Sequence, residues 1–189
     1  LLSEKACIIA AQQHHQDPLS HYELASTLMA RGEAKTANKE LAESARLDSK
    51  NSTYPYERGM IFNYLNQNDE AEKSFKQAFT LDKDNVEAAY QLAYLYAKRN
   101  DKQQAEFYIN HILENHNNQS QSKSAKLLKE YIYKNAADKL PLKVIPGQYH
   151  LSRSKSLYQS KQYGLSIIEA ETAARLSPSD LKVQEVLVG

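Results

Sequence analysis

The sequence predicts an all-α fold built from antiparallel helix hairpins, and three observations lead to this prediction. Alanine recurs with a spacing of 34 residues, at Ala37, Ala71 and Ala105. Apolar residues with helical periodicity surround each of these alanines, and a turn interrupts them within every repeat. The chain has only five glycines and five prolines among 189 residues, which disfavours an architecture of many short strands.

Other equivalent positions of the successive repeats, hereafter columns, hold residues of similar size. Two columns hold large apolar residues and one holds small residues: Leu28, Phe62 and Tyr96; Leu41, Phe75 and Ile109; Ala25, Gly59 and Ala93. Where two helices cross closely, a small residue lets the backbones approach, and a large residue one turn away fills the space beside the crossing. A single hairpin cannot bury such a face, so neighbouring hairpins are expected to stack.

The turns between the helices carry their own signals. Gly32 is predicted to end the first helix of the first repeat, because glycine adopts the left-handed conformation found just past helix ends. In the second repeat the turn is expected at residues 66–69, and Asp69 is predicted to cap the helix that follows.

The spacing and the residue classes resemble the tetratricopeptide repeat, whose units are about 34 residues long. Alignment on Ala37 gives three complete units, at residues 18–51, 52–85 and 86–119. A fourth, degenerate unit at residues 147–180 matches mainly through its second helix, with Ser154 and Ser166 at its two small positions. The resemblance implies a right-handed α-solenoid in which the hairpins form a superhelix.

Three segments fall outside these units. Residues 1–17 resemble the second helix of an earlier, partial unit. Residues 120–146 are predicted to form an irregular helix and then an extended loop, because residues before proline avoid the helical conformation. Residues 181–189 are predicted to form a capping tail.

The resemblance also implies a concave groove lined by the first helices of successive units, which binds a peptide or a helix of a partner protein. The residues that would line this groove are Tyr22, Met29, Tyr56, Met60, Asn63, Tyr64, Tyr90, Tyr94 and Lys98, continued by Lys155 and Tyr158 if the fourth unit stacks in line. Tyr22, Tyr56 and Tyr90 are spaced by 34 residues and are expected to form a ladder of rings. Tyrosine is enriched in binding hot spots, and methionine adapts to irregular partners.

One known mode of the resembled family is not supported. Its basic clamp for a C-terminal carboxylate uses Lys, Asn and Arg, whereas the corresponding positions here hold Tyr22, Ser26, Glu57, Glu87 and Gln91. The sequence therefore does not predict binding of chaperone C-terminal tails.

An enzyme is not predicted, and no cofactor or metal is expected. The histidines at positions 14, 15, 111 and 116 have no acidic residue at a metal-site spacing, and the chain has no glycine-rich phosphate loop and no nucleophile elbow. The single cysteine, Cys7, lies in an apolar helical run and is expected to be a buried thiol. A lone cysteine fits either the cytoplasm or a bacterial periplasm, and the absence of an initiator methionine suggests a fragment or a processed form.

The charge distribution leaves alternative functions open. Residues 117–163 contain nine Lys and Arg against two acidic residues, whereas residues 1–116 contain 13 basic and 17 acidic residues. An RNA-binding surface at this basic segment is the main alternative, with lysines and tyrosines on the expected helix: Lys123, Lys126, Lys129, Lys134, Lys139, Lys143, Tyr131 and Tyr133. A self-associating assembly subunit with an apolar edge at Ile8 and Ile9 is a further alternative.

Overall fold

A computed structural model of the chain describes residues 2–115, 120–134, 150–151, 154–155, 158–159 and 163–176. The helices are α1 (Leu2–Gln13), α2 (Pro18–Ala30), α3 (Ala34–Leu47), α4 (Thr53–Tyr64), α5 (Asn68–Leu81), α6 (Val86–Lys98), α7 (Lys102–Asn115), α8 (Ser120–Lys134) and α9 (Tyr163–Leu176). The described residues between 150 and 159 are helical as well, and no strand occurs in the described part of the chain. The all-α fold class is as predicted.

The chain divides into two compact units. Unit 1 comprises residues 1–50 together with residues 145–189, so that α1, α2, α3 and α9 belong to it. Unit 2 comprises residues 51–144 and contains α4 to α8. The extended loop predicted before residue 147 and the predicted tail at 181–189 lie outside the described residues.

In unit 2, consecutive helices form hairpins that stack on one another. Helix α4 packs antiparallel to α5, and α6 packs antiparallel to α7. Helix α5 also contacts α6, and α8 contacts both α7 and α6. The second hairpin of this unit therefore packs on the first through α5 and α6, and α8 packs on the second hairpin.

The same turn joins α2 to α3, α4 to α5 and α6 to α7. Gly32, Asn66 and Asn100 stand 34 residues apart and all have positive φ, at 82°, 60° and 59°. In the first turn the amide of Glu33 donates to the carbonyl of Leu28, which satisfies a carbonyl left unpaired at the helix end. Asparagine tolerates this left-handed conformation almost as glycine does, so the turn is preserved where glycine is absent.

The predicted cap at Asp69 is wrong. The residue before α5 is Gln67, and Asp69 lies inside the first turn of the helix. The left-handed Asn66 reverses the chain early enough for the helix to begin at Asn68. Asp69 forms an ion pair with Arg99 instead, with 2.7 Å between Oδ1 and Nη2. Its negative charge is also favourable in the first turn of a helix.

Close helix crossings account for the columns of small residues. Ala71, Phe75 and Ala78 of α5 are fully buried. A Cβ atom added to Gly59 of α4 would lie 2.5 Å from Cε1 of Phe75, so no side chain fits at this crossing without movement of the ring.

In unit 1, helix α2 is the central element. It forms a hairpin with α3 and also contacts α1 and α9. Its N-cap is Asp17, whose carboxylate accepts hydrogen bonds from the amides of Leu19 and Ser20, each at 3.1 Å. Cys7 of α1 is buried against this helix, and the Thr27 hydroxyl donates to its Sγ at 3.5 Å. No described helix is long and apolar enough to cross a membrane.

Candidate functional site

The three tyrosines of the predicted ladder are buried. Tyr22, Tyr56 and Tyr90 expose 2%, 1% and 1% of their surface. The Tyr56 ring lies 5.7 Å from the ring of Phe75, measured between centroids. Burial raises the pKa of Tyr90 to about 12, with a smaller contribution from Tyr94. These rings are part of the packed interior, so in this structure they do not form an open ladder.

Tyr22 is covered within unit 1 by the C-terminal part of the chain. Helix α9 packs against α2, and the Tyr22 hydroxyl donates a 2.7 Å hydrogen bond to Oε1 of Glu169. The other oxygen of this carboxylate, Oε2, lies 2.7 Å from Nδ1 of His150. Glu169 exposes 1% of its surface and His150 exposes 7%. The buried carboxylate of Glu169 thus accepts a hydrogen bond from a tyrosine of the first repeat and contacts a histidine that precedes it in the C-terminal part of the chain.

The helical residues between 150 and 159 form a hairpin with α9, hereafter the fourth hairpin. Its two small positions, Ser154 and Ser166, are buried and exchange hydrogen bonds across the crossing. The Ser154 hydroxyl donates to the Ser166 carbonyl at 2.8 Å, and the Ser166 hydroxyl donates to the Ser154 carbonyl at 2.9 Å. Serine therefore serves here where alanine or glycine serves in the other hairpins, because its hydroxyl reaches a backbone carbonyl.

The remaining predicted groove residues differ in exposure. Tyr64 exposes 51% of its surface, Lys98 is exposed, and Asn63 and Tyr94 are half-buried. Burial, and secondarily the neighbouring Tyr131 of α8, raises the pKa of Tyr94 above its ordinary value. In unit 2 an aromatic, an amide and an ammonium group are thus accessible at the C-terminal ends of the first helices.

Four further predicted groove residues complete the set. Met60 of α4 is buried, whereas Met29 of α2 is half-buried. Lys155 and Tyr158 are exposed on the fourth hairpin, and the Tyr158 ring lies 5.3 Å from that of Tyr163 in an edge-on arrangement. Whether any of the predicted residues contacts a partner stays a prediction.

Glu169 and His150 are the residues that the sequence reasoning missed. The helical periodicity of the sequence could have indicated Glu169. Ser166, Ala170 and Ala173 lie on one face of α9, and Glu169 lies on that same face. All four residues are buried. Glutamate between small residues on a buried face is unusual, because an ionised carboxylate is rarely buried without partners.

Two other histidines, His111 and His21, have structural partners, whereas His14 and His15 are exposed. His111 contacts the carbonyl of Lys83 through Nε2 at 2.8 Å, and its ring stands edge-on to Phe79. His21 lies 2.8 Å from the carboxylate of Glu40. Cys7 is buried, as expected. His116 lies outside the described residues.

The basic segment is only partly available to a ligand. On α8, Lys123 and Lys126 are exposed, whereas the Lys129 ammonium donates to Oδ1 of Asn110 at 2.9 Å. Tyr131 is half-buried and Tyr133 exposes 64% of its surface. The lysines at 139 and 143 lie outside the described residues, and so does the side chain of the lysine at 134.

Comparison with known proteins identifies the repeat. Residues 65–128 match the family model of the tetratricopeptide repeat, from the end of α4 into α8. No curated protein sequence matches the chain.

Solved structures share the fold across nearly the whole chain. YrrB, described as a TPR protein with an unusual peptide-binding site, is 14% identical with a TM-score of 0.58, over 96% of this chain and 97% of that one. PilF of Pseudomonas aeruginosa is 18% identical with a TM-score of 0.59, over 96% and 86%. MamA is 13% identical with a TM-score of 0.53, over 92% and 86%. At identities this low, structural similarity indicates a shared fold alone. The matched structures confirm the predicted α-solenoid fold class.

Proposed function

We propose that this chain, in which residues 65–128 match the tetratricopeptide repeat, is a noncatalytic scaffold that holds a peptide or helix of a partner protein on the first helices of unit 2. Such repeats generally serve as protein-interaction scaffolds. The proposed contact surface, hereafter the groove face, consists of Asn63 and Tyr64 of α4 and Tyr94 and Lys98 of α6.

The exposure of Tyr64 is the observation that carries this proposal. Its ring exposes 51% of its surface at the end of α4. Tyrosine provides a large contact area with few rotatable bonds, and its hydroxyl orients a partner through a hydrogen bond. A half-exposed tyrosine on one first helix, with a second tyrosine on the next first helix, is well suited to anchor a peptide.

The buried predicted residues support this surface from below. Met60 precedes Tyr64 by one helical turn, and Tyr90 precedes Tyr94 by one helical turn. Both are buried. Because their side chains are held in the packed interior, the helix ends that carry the accessible tyrosines are held in place before a partner arrives.

The polar members of the groove face favour a particular chemistry of partner. Lys98 supplies a positive charge and Asn63 supplies both a donor and an acceptor. An extended peptide or a helix end with a carboxylate near an apolar side chain would satisfy all of these groups. YrrB, similar in fold, is described as having an unusual peptide-binding site, so a peptide is a suitable class of ligand to test first.

A displayed peptide library selected on the immobilised full chain tests the proposal. Peptides that are retained are synthesised with a fluorescent label, and their affinity is measured by anisotropy. We expect the double variant Tyr64→Ala, Tyr94→Ala to lose about tenfold or more in affinity, because hot-spot tyrosines typically contribute this much.

Phe107→Ala is the matched control. Phe107 exposes 57% of its surface on α7, which is a second helix, so it is an accessible aromatic residue outside the groove face. Its removal is expected to change the affinity by less than about twofold. Equal affinity of the selected peptides for the wild-type chain and the double variant, or a library from which nothing is retained, would contradict the proposal.

A further inference from the structure

Two tyrosines of the fourth hairpin contact each other at the protein surface. Tyr158 lies in the helical residues that precede α9, and Tyr163 is the first residue of α9. Their ring centroids are 5.3 Å apart and the ring planes meet at 64°, so the edge of one ring packs on the other. The two residues expose 65% and 52% of their surface. A reagent in solution therefore reaches both phenols while the rings are in contact.

This combination of contact and exposure distinguishes the pair from other tyrosines of the chain. Tyr96 and Tyr108 are stacked, with ring centroids 5.9 Å apart, but each exposes only 6% of its surface. Tyr64 exposes 51% of its surface, yet no other aromatic ring packs on it among the described residues. Oxidative coupling of two phenols requires rings that are both accessible and in contact, and Tyr158 and Tyr163 meet both requirements.

The composition of the chain directs oxidation toward tyrosine. The sequence contains 13 tyrosines and no tryptophan. Its single cysteine, Cys7, is buried, and a thiol without solvent access reacts slowly with oxidants. Of the two methionines, Met60 is buried and Met29 is half-buried. Exposed phenols therefore compete with few other accessible side chains for an oxidant.

We propose that Tyr158 and Tyr163 form an oxidative cross-linking site, at which a peroxidase with hydrogen peroxide joins the two rings as dityrosine. One hydrogen atom is removed from each phenolic hydroxyl, and the two hydrogen atoms reduce one hydrogen peroxide to two water molecules. The two phenoxyl radicals couple through one ring carbon next to each hydroxyl-bearing carbon, which forms one carbon–carbon bond. Each coupled carbon then loses its proton while its phenolic oxygen gains one, which restores both aromatic rings. The product has two hydrogen atoms fewer than the two tyrosines.

The cross-link restrains the start of α9. Four residues separate the two tyrosines in the sequence, so the new bond closes a short loop. A covalent cross-link stabilises a fold mainly by limiting the conformations of the unfolded segment. Helix α9 also carries Glu169, which accepts a hydrogen bond from Tyr22 of α2, so the restraint supports this contact within unit 1. The proposal goes beyond the proposed function, because the groove face belongs to unit 2.

Mass spectrometry of the oxidised full chain tests the proposal. Dilute wild-type protein is treated with a peroxidase and hydrogen peroxide, and the monomer is isolated and digested with trypsin. Cleavage after the basic residues at 155, 161 and 175 places Tyr158 and Tyr163 on separate peptides, 156–161 and 162–175. We expect these peptides joined, with two hydrogen atoms fewer than their sum. Because contact raises the effective concentration of the rings, this product should exceed every other tyrosine pair about tenfold or more. A monomer without this product, or with no preference for it, would overturn the proposal.

Variants of the chain test which side chains react. Tyr158→Phe and Tyr163→Phe are each expected to abolish the joined peptide, because phenylalanine has no phenolic hydrogen to lose. Tyr64→Phe is the matched control, since Tyr64 is similarly exposed, and its yield should change by less than about twofold. A joined peptide that persists in either of the first two variants would contradict the assignment.

Two further samples separate the folded hairpin from other sources of the cross-link. A mixture of ¹⁵N-labelled and unlabelled chains should give joined peptides that are wholly labelled or wholly unlabelled. Peptides with one half of each kind would assign the cross-link to two copies of the chain and overturn the proposal. A synthetic peptide of residues 156–175 should couple its tyrosines about threefold or more slowly than the folded chain, because its rings are not held in contact. Equal rates would mean that the hairpin plays no part.

Amide hydrogen exchange tests the restraint. The purified cross-linked chain is compared with the untreated chain by NMR. Exchange of the α9 amides is expected to slow about threefold or more, whereas the amides of α6 and α7 in unit 2 should be unchanged. Unchanged exchange of the α9 amides in the cross-linked chain would refute the restraining role.

Discussion

The hydroxyl of Tyr22 donates a hydrogen bond to the carboxylate of Glu169, a residue 147 positions later in the chain. This bond joins the first repeat to the fourth hairpin within unit 1, and both residues are buried. Because of this contact, Tyr22 is an interior residue, although the sequence predicted it on an open groove. The most distant parts of the sequence are thereby combined in one compact unit.

Tyr22→Phe should destabilise unit 1 with little change in unit 2. The substitution keeps the ring and removes one hydrogen bond to a charged acceptor, which typically contributes about 1.5–3 kcal/mol. Amide exchange of α2 and α9 measures this loss residue by residue. Tyr158→Phe is the control, because Tyr158 is largely exposed, and we expect it to change stability by less than about 0.5 kcal/mol. Equal exchange in the two variants would show that the bond contributes nothing.

Gly59→Ala should destabilise the chain, against the usual trend. Alanine in place of glycine within a helix normally stabilises by about 1 kcal/mol. Here the new Cβ would lie 2.5 Å from the ring of Phe75, and overpacking of this kind costs about 1–3 kcal/mol. Urea denaturation of Gly59→Ala, of Phe75→Leu and of the double variant gives a double-mutant cycle of unfolding free energies. The alanine should cost less when Phe75 is leucine, and a purely additive cycle would refute the steric explanation.

The hairpins could be predicted from the sequence because their determinants are local and repeated. Gly59 and its equivalents lie on the first helix of each crossing, and Ala71 and its equivalents lie on the second. In the structure, Gly59 of α4 packs against Phe75 of α5. The turn at Asn66 repeats that at Gly32 with a different residue, and both have positive φ. Such features need only a few neighbouring residues, so a single sequence carries them.

The burial of the tyrosine ladder could not be predicted in the same way. Which segment covers Tyr22 depends on contacts between residues 147 positions apart, and no repeat spacing encodes them. A variant such as Tyr56→Ala is consequently unsuited to a test of binding alone. Removal of a fully buried aromatic ring costs about 3–5 kcal/mol, so lost binding would reflect lost structure.

Asn66 should tolerate glycine but not a β-branched residue. Its φ of 60° lies in the left-handed region, which glycine adopts freely and valine rarely does. We expect Asn66→Gly to change stability by less than about 1 kcal/mol and Asn66→Val to cost about 1–3 kcal/mol. Thermal unfolding followed by circular dichroism compares the two. The same pair of substitutions at Asn100, whose φ is 59°, should give the same order, and a reversed order at either site would be inconsistent with a left-handed turn.

Asp17 should make the stability of unit 1 depend on pH in the acidic range. Its hydrogen bonds, chiefly that from the Ser20 hydroxyl, lower its pKa below the ordinary value of 3.8, although burial opposes this. Because the folded state favours the charged form, the stabilisation is present above the ordinary pKa and is lost as the pH falls through the lowered value.

Asp17→Asn is the matched variant for this effect. Asparagine caps a helix about as well but does not titrate, and it lacks the negative charge that is favourable at a helix N-terminus. Amide exchange of α2 is compared with that of the wild-type chain from about pH 6 down to about pH 2. The wild-type chain should be more stable at the upper end, and its advantage should vanish toward the lower end. A constant difference over the whole range would mean that the Asp17 carboxylate does not supply this stabilisation.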